Sequence, residues 1–174
     1  MNFDLASYQK SETLADGQLL RLRAIQPSDR KRLREEFLKL SKTTVRDRFF
    51  SLKLDLTPAE LTYFTELDFN HHVALVAELA AGEPVAVGRL VRSSEQPDHA
   101  EIAITVTDTM QGKGIGKIML NHLIDCGRQL GVCHMDASVM AGNTRMMRLI
   151  RKSGLPFTAH LQDGIQTISV SLHA

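Results

Sequence analysis

Long apolar runs are missing from these 174 residues. No stretch approaches 18 consecutive apolar positions, so no membrane-spanning helix is expected. The first 17 residues mix Asp, Gln, Lys and Glu and lack the apolar segment of a secretory signal. A dominant charge is missing too: 21 Lys and Arg face 20 Asp and Glu, a formal net charge of +1. That balance gives no global pull towards nucleic acid or an anionic membrane. Cysteine is scarce, and Cys126 and Cys133 form neither a metal-ligand nor a redox spacing. Cys133-His134 has no second Cys/His pair to complement it, so no metal site is expected, and a reducing, cytoplasmic compartment is. Internal repeats, low-complexity tracts and long linkers are also lacking. What remains is 43% hydrophobic and 24% charged residues, ordinary for a globular chain with a sizeable core. It is read as one domain, 1–174, with 1–17 as a loosely attached leader.

Periodicity orders the rest. "GQLLRLRAI" (17–25) alternates like a strand, and "QPSDRKRLREEFLKL" follows as a helix with Ser28 or Asp29 as cap. "TTVRDRFF" predicts a second helix, and Thr57 before Pro58 starts a third. The basic run Arg30 to Arg34 reads as a solvated helix face. From His72 two strand-like runs meet around Ala81-Gly82-Glu83, a hairpin signal, and "AEIAITVT" (100–107) adds a further strand. A helix to about Leu130 carries Ile115, Met119, Leu120, Leu123 and Ile124 on one stripe. "GVCHMDASVM" reads as a strand, Asn143 to Lys152 as a short helix stopped at Gly154, and two strands close around Asp163-Gly164. This order gives an α+β chain with a mixed sheet.

Between strand and long helix lies "QGKGIG" (111–116). A P-loop would need GxxxxGK[ST], but Gly112 and Gly116-Lys117 enclose only three residues and Ile118 follows. A dinucleotide fingerprint would need GxGxxG in a βαβ unit, whereas Gly112, Gly114 and Gly116 give GxGxG after a meander-like strand. The pattern Q/R-x-x-G-x-G/A is met in full. Backbone N–H groups at a helix start converge on an anion, and glycines let a pyrophosphate approach without a Cβ in the way. Lys113 and Lys117 add positive charge.

With that loop the chain resembles the GNAT acetyltransferase superfamily over about residues 18 to 172. "NTRMMRLIRKSGL" (143–155) is similar to the family's N-x-x-A-x-x-L-Y-x-K-x-G-F segment at Asn143, Leu149, Lys152 and Gly154, and departs from it at Ile150, where many members carry an acidic tyrosine. "RLRAIQPSDRKRLREEFLKLS…RFF" and "AEIAITV" look closest to the catalytic domain of Pat-type protein lysine acetyltransferases. The resemblance implies a GNAT-like mixed, mostly antiparallel central sheet flanked by helices on both faces. It implies acetyl-CoA as cosubstrate, its pyrophosphate on Gln111, Gly112, Lys113, Gly114, Ile115, Gly116 and Lys117. Its pantetheine arm would pair with Ile104, Thr105 and Val106, with the Val106 N–H as oxyanion donor, and Asn143 would lie near the pantetheine or leaving sulfur.

Acyl transfer to an amine needs a base, because an amine of pKa near 10.4 is about 99.9% protonated at pH 7. Along 101–107 the apolar set Ile102, Ile104 and Val106 points one way and Glu101, Ala103, Thr105 and Thr107 the other. Glu101 is the base candidate, at the position of the base proposed for Pat-type enzymes; on spacing alone it also suits a surface strand. Asn143 alone would read as a helix cap. His71, His72 and His99 are loop-end histidines, and Met146 and Met147 are expected against the sheet. The expected acceptor is a protein lysine, with a small-molecule amine or antibiotic as the alternative. An idle acyl-CoA-binding module is the reading of another class, and a homodimer is compatible with exposed sheet edges.

Overall fold

The computed structural model describes residues 4–173. Its strands are β1 (Gln9–Thr13), β2 (Leu19–Ala24), β3 (His72–Leu79), β4 (Pro84–Arg92), β5 (His99–Val106), β6 (His134–Met140), β7 (Phe157–Gln162) and β8 (Ile165–Ser171). They form one open sheet in the order β1-β2-β3-β4-β5-β6-β8-β7. Every pairing is antiparallel except β5 with β6. Five helices flank it: α1 (Arg30–Lys39), α2 (Lys42–Phe49), α3 (Pro58–Thr65), α4 (Ile115–Gln129) and α5 (Thr144–Lys152). Among the described residues no helix is long and apolar enough to cross a membrane.

Strand alternation builds two separate cores, one on each face. The larger gathers β-strand residues such as Leu22, Leu75, Leu90 and Ile102 under Ile115, Met119, Leu123 and Ile150 of α4 and α5. The smaller packs Phe37, Val45, Leu56, Leu61 and Phe64 from the α1–α3 side. The apolar stripe of α4 is buried as its spacing predicts. It lies close on the sheet because Gly88 and Gly127 lack side chains: a Cβ at Gly88 would stand 2.6 Å from Met119 Sδ. Thr57 caps α3 through a capping box with Glu60, and Pro58 opens its first turn.

One expectation needs correction. Residues 4–17 are no loose leader. Leu5, Tyr8 and Leu14 are buried, and β1 pairs with β2 from Gln9↔Arg23 to Thr13↔Leu19. The Tyr8 hydroxyl, kept protonated by burial, donates to His122 Nδ1 on α4, whose Nε2 reaches Glu12 at 2.9 Å. The strand escaped notice because QKSET, at the sheet edge, is almost wholly polar. The basic run 30–34 is the solvated helix face expected, with Arg32 and Arg34 exposed, and its arginines also make surface contacts. Arg30 donates to Pro58 O and Thr62 Oγ1, Arg32 to Gly82 O, and Arg34 to Asp55. Sequence reading also gave no hint that Glu78 is buried, holding Arg21 at 2.7 Å and Arg23 at 2.5 Å.

Candidate active site

The site begins where two strands part. α4 crosses over to bring β6 parallel to β5, and their register runs only from His99↔His134 to Glu101↔Asp136. Beyond Glu101 the β6-side edge of β5 has no ladder partner. Its polarity follows from the other edge: Thr107 N–H donates to Val85 O on β4, so, by alternation, the amides of Ile104 and Val106 face the gap. An extended chain laid there finds a strand edge ready to pair.

The gap opens into a cleft of about 640 Å³. Glu101, Ile104, Thr105, Val106, Gln111, Gly112, Gly114, Ile115, Gly116, Lys117 and Asn143 all line it. Lys113 alone of the sequence-selected residues does not; its Nζ leans away to Asp16, at 3.7 Å, in the β1–β2 turn. Gly112 and Gly114 have φ +81° and +86°, the left-handed region that other residues rarely adopt, and Gly114 is the N-cap of α4. Gly116 is different. A Cβ there would meet only Leu149 at 3.6 Å and Val106 at 3.9 Å, two cleft walls, so its bareness leaves room in the cleft and relieves no clash. N–H groups at the start of α4, with Lys117 beside them, form a cationic cradle on the cleft wall, the kind of helix start that suits an anion.

Gln111 braces this loop. Its Nε2 donates to Val106 O and to Thr44 Oγ1, each at 3.1 Å. Asp108 extends the brace by accepting from Ser41 N–H at 2.8 Å, Ser41 Oγ at 2.7 Å and Thr44 Oγ1 at 2.7 Å. Against partial burial, these donors hold its carboxyl below the usual range. The start of α2 is thereby pinned to the end of β5. Asn143 caps α5 by accepting from Met146 N–H at 3.2 Å, so the capping role and the place on the cleft wall coincide.

Glu101 is exposed, on the face of β5 turned to α2. Its register neighbour Asp136 accepts from His99 Nδ1 at 2.7 Å, and His99 stacks on His134 at 4.6 Å. Asp98, His99 and His134 bring one ligand atom each within 4.8 Å of one another, a group that does not include the Cys133 thiol. Arg48, one turn along α2 from Thr44, feels the charge of Glu101, and Arg89 of β4 in turn feels Arg48. Sequence reading missed Arg48, Asp108 and Thr44, as well as Arg145, Arg148 and Lys152 on the α5 wall. The last three are spaced i, i+3, i+7, a helical stripe visible in principle. Ile150 is fully buried in the core and absent from the cleft wall, so nothing at that position reaches the chemistry.

A helix start suited to an anion, a free strand edge and a carboxylate at the far end of that edge suit an acyl-thioester donor and an amine acceptor. Comparison with known proteins agrees. The chain is 33% identical over 139 residues to the acetyltransferase Pat of Mycolicibacterium smegmatis, covering 79% of this chain and 41% of that one. The chain thus spans less than half the length of that relative. It is 30% identical over 160 residues to an acetyltransferase of Pseudomonas aeruginosa, covering 90% and 86% of the two. The GNAT domain of S. lividans PAT superposes with a TM-score of 0.88 at 27% identity, covering 94% and 96%. The family model described as acetyltransferase (GNAT) family, whose members use acetyl-CoA, matches residues 37–155, and the chain belongs to that family.

Proposed function

We propose that residues 1–174 form one N-acetyltransferase domain that passes the acetyl group of acetyl-CoA to a primary amine by direct attack, with Glu101 as general base. The observation that carries this reading is the position of Glu101 at the fork of β5 and β6, on the same cleft as the glycine cradle. Gly112, Gly114, Gly116 and Lys117 hold the diphosphate; the β5 edge at Ile104 to Val106 aligns the arm, and Val106 N–H donates to the carbonyl oxygen as charge builds there. The amine arrives as an ammonium, so a proton must leave before the C–N bond forms. Glu101 accepts it, directly or through water. As the C–S bond breaks, the thiolate departs with a pKa comparable to a cysteine's and can leave unprotonated, which fits a site without a tyrosine at position 150. Resemblance to Pat-type enzymes supports a protein lysine as acceptor, ahead of a small amine or antibiotic.

Glu101→Gln tests the role. Thiol release from acetyl-CoA over a panel of peptides, proteins and small amines is expected to fall about 10²- to 10⁴-fold in the variant. Calorimetric CoA affinity should stay near wild type. Full activity in Glu101→Gln removes it as the base; CoA binding without thiol release from the wild type on any acceptor points to an idle binding module.

A further inference from the structure

We infer that Arg48 is the acceptor-recognition group of this cleft and that it reads a carboxylate, so the amine acetylated here carries an acidic group close to the reacting nitrogen. The inference rests on the acetyltransferase reading above. Arginine in a protein interior usually meets a carboxylate or a set of carbonyls. Arg23, partly buried, does so here, with Asp29 at 2.7 Å and Glu78 at 2.5 Å. Arg48 does not. Among the described residues its guanidinium forms no ion pair and donates no hydrogen bond; its ring contact is Phe49, 4.9 Å from the centroid. Yet it is partly buried on the cleft wall, and burial holds it below the usual arginine range. Asp47 and Glu101 line the same cleft without reaching it.

A second cation deepens the field. Arg89 is buried and gives Nη1 to Phe64 O at 3.0 Å and to His72 Nε2 at 3.3 Å, with its charge over the Phe64 ring. It too forms no ion pair. Asp47, Glu101 and Glu36 lie on the walls of these cavities, and among the described residues none of them pairs with either guanidinium, so neither cation has an anion of its own. Position says which molecule brings it. Thr44 holds the loop end of β5, and Arg48 sits one turn, about 5 Å, further towards Glu101. The other cleft cations, Lys117, Arg145, Arg148 and Lys152, belong to α4 and α5 on the opposite wall. An amine placed beside Glu101 would set a carboxylate a few atoms away against Arg48, in the planar paired geometry that guanidinium favours. Arg48 and Arg89 also line a second cavity of about 80 Å³, walled by Phe37, Phe49 and Phe64 with Glu36 at its side, which is room for a small group and no more.

Such a carboxylate has two sources: an acidic residue beside a target lysine, or the α-carboxylate of a free amino acid. Matched acceptors separate them, namely the peptides Asp-Lys-Asp and Asn-Lys-Asn, and leucine with leucinamide. The readout is the ratio of kcat/KM within each pair, in wild type against Arg48→Gln and Arg48→Lys, so that differences in amine basicity cancel. Arg48→Gln is expected to lower that ratio about 10- to 100-fold, mainly through KM, in one pair, which names the source, with Arg48→Lys in between. CoA affinity by calorimetry should move by less than about twofold. Equal losses on both members of each pair would mean that Arg48 acts through Glu101 or the fold. A loss of CoA affinity of about tenfold or more would assign Arg48 to the donor site. Either result overturns the inference. If no acceptor turns over, the acetyltransferase reading fails instead. The same ligands titrated against CoA-loaded protein then decide about Arg48: tighter binding of the acid than of its amide, abolished in Arg48→Gln, supports it, and equal binding overturns it.

Discussion

His72 shows how one residue's surroundings set its charge. Burial and the adjacent Arg89 guanidinium push its pKa down to about 4, against a weaker pull from Asp68. The arginine has only protons to give, so Nε2 must be the acceptor and the ring must be neutral. Tyr63 lies against the ring at 4.8 Å, leaving little room for a hydrated cation. The pH consequence has a definite sign. Between the unfolded value near 6.5 and the folded value near 4, the unfolded chain binds a proton that the folded one refuses. Stability therefore falls as pH drops through that window, and the contribution is absent above it. After discounting for the ring's partial solvation, the loss between pH 7 and pH 5 is about 1 kcal/mol. Urea unfolding of wild type and His72→Gln checks it: the variant should show a shallower loss over that range. A parallel pair of curves would mean that His72 takes its proton without unfolding. The carboxylates held low by their partners, such as Glu78 and Asp29, respond at lower pH and do not confuse the comparison.

At the scale of elements, the glycine loop shows what sequence can carry. Its chemistry is local: Gln111, Gly112, Gly114 and Gly116 lie within six positions, and glycine at 112 and 114 permits the left-handed backbone found there. The alternation of β5, the stripe of α4 and the caps at Thr57 and Asn143 were legible for the same reason. The α2 wall was not. Asp108 meets Ser41 and Thr44 across 64 to 67 positions, and no pattern within either segment announces the other. Arg48 looked like any surface arginine of a short helix until the sheet was placed beneath it. Gly116 allows the ligand's demands to be separated from the fold's. Ala at 116 meets only ordinary contacts in the free protein and improves helix propensity in the first turn of α4. Gly116→Ala should thus melt no lower than wild type, yet bind CoA about tenfold or more weakly, because its methyl enters the cleft between Leu149 and Val106. Calorimetry beside a thermal melt reads both. Unchanged CoA affinity would remove that part of the loop from the donor site.

For the whole molecule, the instructive failure is the amino-terminal segment. Charge and polarity made residues 4–17 look detachable, and the family resemblance began only at about residue 18. Edge strands defeat such reading because one face and one edge stay in solvent, so five residues of β1 carry no inward stripe to detect. What anchors the segment is sparse and brackets the strand: Leu5 and Tyr8 before it, Leu14 after it, all within the larger core. The Tyr8–His122–Glu12 chain then ties it to α4, the helix that also presents the glycine cradle. Burial of three such side chains stabilises by about 5 kcal/mol or more in all, similar to the entire net stability of many domains. Deleting residues 1–14 should therefore abolish the cooperative unfolding transition or move it to much lower urea, and not yield a trimmed, equally stable domain. Tyr8→Phe is the milder variant. It keeps the ring and its edge-on contact with His122 but strips a buried hydrogen bond from the imidazole, at a cost of about 1–3 kcal/mol. Equal urea midpoints for the full and truncated chains would show that the strand only decorates the sheet. A large loss in both variants would mean that the cleft stands on a fold its first residues help to hold, because α4 is shared by the anchor and the site.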